Sequence, residues 1–272
     1  MIDFPNAKIN LGLNILGKRK DGYHEISTCF YPIGLKDALE IIPASSKKTA
    51  ISISGIEIPG NPDENLCLKA FYLMKKDFEL PNVQIHLHKV IPAGGGLGGG
   101  SSDAAFTLKL LDRLFHLFLD PDLLAWYAAK LGSDCPFFIY DEPVIASGKG
   151  EIIEEITIPL SGKHIIIINP GIMIPTAEAY RMITPRKPEF SLKDVLQNHS
   201  LNQWKDILVN DFEEQVSAKY PELTEIKKML YEMGAIYAAI SGSGSSMFGI
   251  FEEQPTGIPP CPPRYQSWMG IL

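Results

Sequence analysis

Apolar and polar residues alternate strictly over 83–88, with Val83, Ile85 and Leu87 on one side and Gln84, His86 and His88 on the other. A period of two predicts a strand with one face covered. His86 and His88 then read as solvent-facing strand residues rather than metal ligands. A few residues later the period lengthens. Ala105, Leu108, Leu111, Phe115 and Phe118 recur at three- and four-residue steps, which predicts an amphipathic helix. The same reading places strands over 7–16, as a pair within 27–42, and over 51–53. It places helices over 65–78, with Leu66, Ala70 and Leu73 on one face, and over 123–131. Short strands follow at 144–146 and 165–169, the second apolar throughout and so central in its sheet. Leu223, Ile226, Leu230 and Met233 mark a further helix. Strands at 238–241 and 247–251 flank Gly242-Ser243-Gly244-Ser245-Ser246. The tail from Gln254 carries five prolines by Pro263, which predicts irregular backbone and a short closing strand within 265–272. Strands and helices mix without strict alternation, so the expected class is α+β. There is no clean linker and no internal repeat. A shift in composition over 147–160 suggests lobes of 1–150 and 151–272.

Between the alternating strand and the helix the chain reads Pro92-Ala93-Gly94-Gly95-Gly96-Leu97-Gly98-Gly99-Gly100-Ser101-Ser102. Backbone N–H groups approach a phosphate closely only where no Cβ intervenes. The helix N-terminus adds unpaired donors and partial positive charge. A glycine run feeding a helix therefore predicts a polyphosphate cradle, whereas a flexible linker would be polar on both sides. Two familiar loops do not fit. A P-loop needs Lys-Ser/Thr at the helix start, and here Ser101-Ser102-Asp103 stands there. Gly94, Gly96 and Gly99 satisfy G-x-G-x-x-G, but the strand before them is half exposed. A helical stretch also follows where a dinucleotide fold needs a second strand.

Composition narrows the function classes. A 272-residue chain with 45% hydrophobic and 21% charged residues is an ordinary globular protein with room for a sizeable core. A net charge of −7 argues against broad binding to nucleic acid or anionic membrane. The Lys18-Arg19-Lys20 cluster reads as a solvated loop before a turn. Cys29, Cys67, Cys135 and Cys261 contain no C-x-x-C pair and read as reduced cytoplasmic thiols. The first residues do not form a signal peptide.

Three segments together resemble the GHMP kinase superfamily: Pro5-Asn6-Ala7-Lys8-Ile9-Asn10-Leu11, the glycine run with its two serines, and Ser241-Gly242-Ser243-Gly244. Asp21-Gly22-Tyr23-His24 and Gly132-Ser133-Asp134-Cys135-Pro136 narrow the resemblance to the branch that phosphorylates a cytidine-diphosphate-linked methylerythritol. Asn169-Pro170-Gly171, Pro175-Thr176 and Asn210-Asp211-Phe212-Glu213 also fit, so ordered matches run from Asn6 to Phe251. The resemblance implies a two-lobed fold with ATP and substrate meeting in the cleft between lobes. It implies an ATP-dependent, Mg²⁺-assisted kinase in the non-mevalonate route to isoprenoid precursors. Pro92 to Ser102, Asn65, Lys89 and the third glycine motif Gly242, Ser243 and Gly244 would serve ATP. Asp134 would be the general base and Lys8 its cationic partner. Asn10, Tyr23, His24, Thr176 and Tyr180 would hold the acceptor, the aromatic rings stacking on cytosine. Taken singly, Asp134 could cap a loop, Asn65 could be only a helix N-cap, and Tyr180 could be core. The alternatives are another small-molecule kinase of the superfamily, acting on mevalonate, homoserine or a sugar, and a catalytically inactive nucleotide-binding module.

Overall fold

The computed structural model describes residues 1–45, 48–258 and 260–272. Strands are β1 (Ile2–Asp3), β2 (Asn6–Lys18), β3 (His24–Lys36), β4 (Ala38–Pro43), β5 (Ala50–Gly55), β6 (Val83–Lys89), β7 (Val144–Gly148), β8 (Ile152–Glu155), β9 (His164–Asn169), β10 (Tyr237–Ile240), β11 (Met247–Phe251) and β12 (Gln266–Ile271). Helices are α1 (Leu66–Phe78), α2 (Gly99–Phe115), α3 (Pro121–Ala129), α4 (Phe137–Tyr140), α5 (Thr176–Met182), α6 (Leu192–Asn198), α7 (Leu201–Ile207), α8 (Glu213–Lys219) and α9 (Pro221–Glu232). None of these helices is long and apolar enough to cross a membrane.

The chain forms two compact units. The first comprises Met1–Ala7, Leu35–Ala93 and Gly98–Glu142. Its sheet has the order β1-β4-β6-β5, with β6 antiparallel to β4 and parallel to β5. The alternation along β6 is realised: Val83, Ile85 and Leu87 are buried, and Gln84, His86 and His88 are exposed. Helix α2 packs on β4 and against α1, α3 and α4. Two helices start on side-chain caps. Asn65 Oδ1 accepts from the Cys67 N–H at 2.8 Å, and Asp120 Oδ1 from the Asp122 N–H at 2.8 Å, with Pro121 in the first turn.

The second unit comprises Lys8–Gly34, Gly94–Leu97 and Pro143–Leu272. It holds the sheets β2-β3-β7-β8 and β10-β11-β9-β12. The apolar run of β9 lies between β11 and β12, as its burial demands. Its core gathers Leu13, Ile15, Ile166, Ile168, Phe212, Ile226 and Leu230 among others.

Several expectations are corrected here. A single boundary at 150/151 would fall in the turn between the paired strands β7 and β8. The units interleave because β7 pairs with β3, so the early hairpin and the late chain share one sheet. Phe118 lies outside the helix. Helix α2 stops at Phe115 against a left-handed His116, and Phe118 is itself left-handed and 86% exposed. On α1 the buried stripe is Cys67, Leu68, Ala70, Phe71 and Met74, so only Ala70 of the expected face is fully buried. The stretch 191–219 holds α6, α7 and α8, each of seven residues. Two turns are too short for a 3.6-residue period to stand out. The closing strand is present as β12. Pro259, one of the tail prolines, lies outside the described residues.

Candidate active site

The chain of the glycine run changes unit within the run, since Gly94–Leu97 belongs to the second unit and Gly98 onward to the first. In the second unit the run is stitched to β2 and to the turn after β10. The Lys8 N–H donates to the Leu97 carbonyl at 2.9 Å, and the Ser246 N–H to the Gly95 carbonyl at 3.1 Å. The Gly96 carbonyl accepts twice, from Lys8 Nζ at 3.0 Å and from Ser241 Oγ at 2.8 Å. Only glycine fits at 96: φ is +78°, and a Cβ would stand 1.9 Å from the Ser241 carbonyl oxygen.

Lys8 is 3% exposed although it carries a charge. Its ammonium also donates to Asn10 Oδ1 and lies 4.9 Å from the centroid of the Phe30 ring. Asn10 is fixed in turn. Its Nδ2 donates to Thr28 Oγ1 at 2.8 Å, and Thr28 donates to the Gly12 carbonyl at 2.6 Å. Ser241 Oγ accepts from the Asn10 N–H at 3.2 Å. Gly242 sits against this pair, for a Cβ there would be 3.3 Å from Asn10 Oδ1. The turn holding Gly242, Ser243 and Gly244 is braced by Asn210 Nδ2, which donates to the Ile240 and Gly242 carbonyls at 3.0 and 2.9 Å. Asn169 Nδ2 braces its far end through Ser246 Oγ at 2.9 Å.

In the first unit, Gly98 is the left-handed cap of α2, and Ser101 and Ser102 form its first turn. Ser102 is buried, and its Oγ has no hydrogen-bond partner among the described residues. Gly99 lies on the stem of the run, where a Cβ would meet Ile91 at 2.9 Å and Lys89 Nζ at 3.2 Å. The Lys89 ammonium pairs with Asp37, and with Asp103 at 2.7 Å, all three side chains being buried. Asp37 Oδ1 also accepts from the Val90 and Ile91 N–H groups at 2.6 and 2.9 Å. Burial would lower the lysine, but the two carboxylates outweigh it and hold it raised. Burial first, and then Asp37, push Asp103 up to about 7. Pro92 is buried and Ala93 half-buried, whereas Gly94 and Gly100 are exposed. Asn65 caps α1, which is the simpler of the two roles expected for it. Asp134 is half-buried just before α4, beside Cys135, whose thiol burial pushes up to about 12.

The residues expected to hold the acceptor all lie in the second unit. His24 and Tyr180 stack, their centroids 4.7 Å apart at 16°. Tyr180 also meets Phe212 edge-on at 4.9 Å. Exposed Tyr23 carries Lys149 Nζ 4.7 Å above its ring. Thr176 opens α5, with its Oγ1 3.5 Å from Ser243 Oγ. Sequence reasoning missed Thr28, Asp37 and Asp103 as parts of these networks, and it placed Ser241 in the third glycine motif without its bond to the Gly96 carbonyl. Nothing in the local pattern announces these pairings, because the partners lie in other segments of the chain.

The comparisons with known proteins agree with one another. The GHMP kinases N terminal domain matches residues 65–142, and the GHMP kinases C terminal domain matches 192–257. The 4-diphosphocytidyl-2-C-methyl-D-erythritol kinase of Bacteroides thetaiotaomicron is 52% identical over 258 residues, 94% of each chain. A crystal structure of 4-(cytidine 5'-diphospho)-2C-methyl-D-erythritol kinase is similar at 33% identity and a TM-score of 0.78, over 93% of this chain and 90% of its own. The Methanococcus jannaschii mevalonate kinase reaches a TM-score of 0.70 at 15% identity, over 93% and 90%, which is a likeness of fold alone. With half its residues shared with such an enzyme across nearly the whole of both chains, this chain belongs to the GHMP kinases and, within them, to the 4-diphosphocytidyl-2-C-methyl-D-erythritol kinase family.

Proposed function

We propose that this enzyme transfers the γ-phosphoryl group of ATP to the 2-hydroxyl of 4-diphosphocytidyl-2-C-methyl-D-erythritol, releasing ADP and the 2-phosphate. The observation that carries this reading is Lys8. A buried ammonium is costly unless its position serves it, and this one is held against the carbonyl of Gly96 within the glycine run. Phosphoryl transfer asks a protein for positioning and charge stabilisation more than for covalent chemistry. Lys8 supplies the charge for the developing alkoxide. Asp134 accepts the proton of the attacking 2-hydroxyl, a step worth about 10²–10⁴ in rate. Glycine-run N–H groups and the first turn of α2 hold the ATP phosphates. Lys89 acts through Asp37 and Asp103, fixing the stem of the run and the start of α2.

No group of three His, Cys, Asp or Glu able to hold a metal ion occurs among the described residues. Mg²⁺ keeps several waters and takes its remaining ligands from phosphates and one or two side chains. Ser102 Oγ, buried without a protein partner, and neighbouring Ser101 are the hydroxyls that would reach it. When bound, the ion neutralises phosphate charge. Asn10, Tyr23, His24, Thr176 and Tyr180 bind the cytidyl acceptor, with aromatic faces for the ring and His24 for its edge. Four free cysteines support a cytoplasmic enzyme, and a net charge of −7 argues against nucleic acid as a partner.

The test is ADP release from the purified protein with Mg-ATP, with and without the cytidyl methylerythritol compound, using mevalonate as control acceptor. ADP is expected only with the cytidyl compound, with phosphate appearing on its 2-hydroxyl. Turnover of mevalonate instead, or retained ATP binding with no turnover of either acceptor, overturns the assignment.

A further inference from the structure

A cavity of about 280 Å³ opens in the second unit beside β2, and the carboxamide of Asn14 lines it. Asn14 is only 8% exposed, yet neither atom of its amide has a hydrogen-bond partner among the described residues. The backbone around it is pinned. The Leu13 N–H donates to the Val209 carbonyl at 3.0 Å, and the Ile15 N–H to Asp211 Oδ2 at 2.7 Å. The backbone on either side of Asn14 is thus held, and the donors and acceptor of its amide are uncommitted. Buried Leu192, Val195 and Leu208 supply apolar wall, and Phe190, 41% exposed, adds an aromatic ring.

Charge and size narrow the ligand. Arg186 is engaged by Asp211 through Nε at 3.2 Å and a second guanidinium nitrogen at 3.1 Å. With Lys187 it faces three carboxylates, since Glu189 and Asp206 line the cavity too, so an anion gains nothing there. The volume lies at the lower edge of the roughly 300–1,000 Å³ usual for small-molecule sites, which suits a single ring. A free carboxamide is satisfied by an acceptor and a donor side by side, as in the pairing of asparagine with a base edge.

We propose that this cavity is a second ligand site. It takes a neutral, planar, single-ring compound presenting an acceptor beside a donor, the class of pyrimidine bases and aromatic carboxamides. Asn14 reads that edge, and Phe190 covers the ring.

The test uses the full chain labelled with ¹⁵N and two probes, cytosine and nicotinamide. Both are expected to shift the Asn14 side-chain amide signals saturably, those signals being assigned by their connectivity to the Asn14 backbone. Asn10 and Asn14 share β2, so the titration is repeated with the acceptor site saturated by the cytidyl acceptor; saturable shifts that persist belong to the cavity, and shifts abolished there overturn the proposal. Benzoate, of similar shape but anionic, is expected to bind at least about tenfold more weakly than nicotinamide. Asn14→Leu removes two hydrogen bonds and, its own signals being gone, is expected by titration calorimetry to bind nicotinamide about tenfold more weakly. Phe190→Ala, at a partly exposed position, weakens it as well and serves if Asn14→Leu does not fold. Asn14 signals that stay fixed up to the solubility limit, as they would if only water fills the cavity, overturn the proposal. So does unchanged binding in Phe190→Ala.

Discussion

The ring of His24 lies flat on the ring of Tyr180, at 4.7 Å between centroids and 16° from parallel, although the two residues are separated by most of the chain. Phe212 closes on Tyr180 edge-on, so the tyrosine is held as a fixed platform. Base stacking on such a platform is worth about 1–3 kcal/mol. Tyr180→Ala is therefore expected to raise KM for the cytidyl acceptor about five- to a hundredfold, leaving KM for ATP nearly unchanged. Steady-state kinetics with each substrate varied in turn decide it; equal effects on both would remove Tyr180 from the cytosine site.

Gly96 is the point where the glycine run touches the turn after β10. A methyl group there would meet the Ser241 carbonyl at 1.9 Å and would force a side chain into a left-handed backbone. Backbone strain alone costs about 1–3 kcal/mol, and the clash adds to it. Gly234 shares a positive φ, but a methyl group there would have nothing within 4 Å of it. Urea unfolding should show Gly96→Ala well below Gly234→Ala in stability, and equal losses would mean that the close approach is relieved at no cost.

Asp134→Asn keeps the shape of the side chain and removes its basicity. Turnover is expected to fall about 10²–10⁴-fold while ATP affinity, measured by equilibrium binding, stays within about twofold of the parent. Unchanged turnover would withdraw the assignment of Asp134 as general base.

The trio of Asp37, Lys89 and Asp103 predicts a pH dependence. Burial, reinforced by Asp37, lifts the Asp103 carboxyl from 3.8 to about 7. As pH rises from about 4 to about 7, the unfolded chain releases this proton while the folded chain keeps it, so stability falls across that window and levels off above it. Asp103→Asn cannot titrate and lacks this loss. The difference in Tm, variant minus parent, should grow in the variant's favour between pH 4 and pH 7. A difference that stays constant across the window would mean Asp103 is ionised in the folded protein throughout.

Much of the architecture was legible from local pattern. The alternation of β6, the long periodic α2, the apolar β9 and the proline-rich tail ending in β12 all follow from burial rules that act within a few residues. Lys8 entered through the family resemblance, in a segment expected to be a strand. Lys89 was harder. The family resemblance suggested a nucleotide contact for it; its ammonium is bound to Asp37 and Asp103, 52 and 14 residues away along the chain, which no local pattern announces. The three seven-residue helices α6, α7 and α8 escaped because two turns carry too few apolar positions to separate a helical period from a loop.

By itself, then, the sequence determined the residue types on offer: a glycine run feeding a helix, a lysine, an aspartate and aromatic rings in the motif segments, and an ordered set of motifs that names the family. Those depend on residue type and on spacing within one segment. Tertiary structure alone decided which residues share a proton or a carbonyl. It joined Lys8 and Ser241 on the Gly96 carbonyl, buried Lys89 between two aspartates, laid His24 on Tyr180, and interleaved the two units through the pairing of β3 with β7. Such contacts form between segments far apart in the chain, where backbone pairing and exclusion of water set the distances, and no local period encodes them.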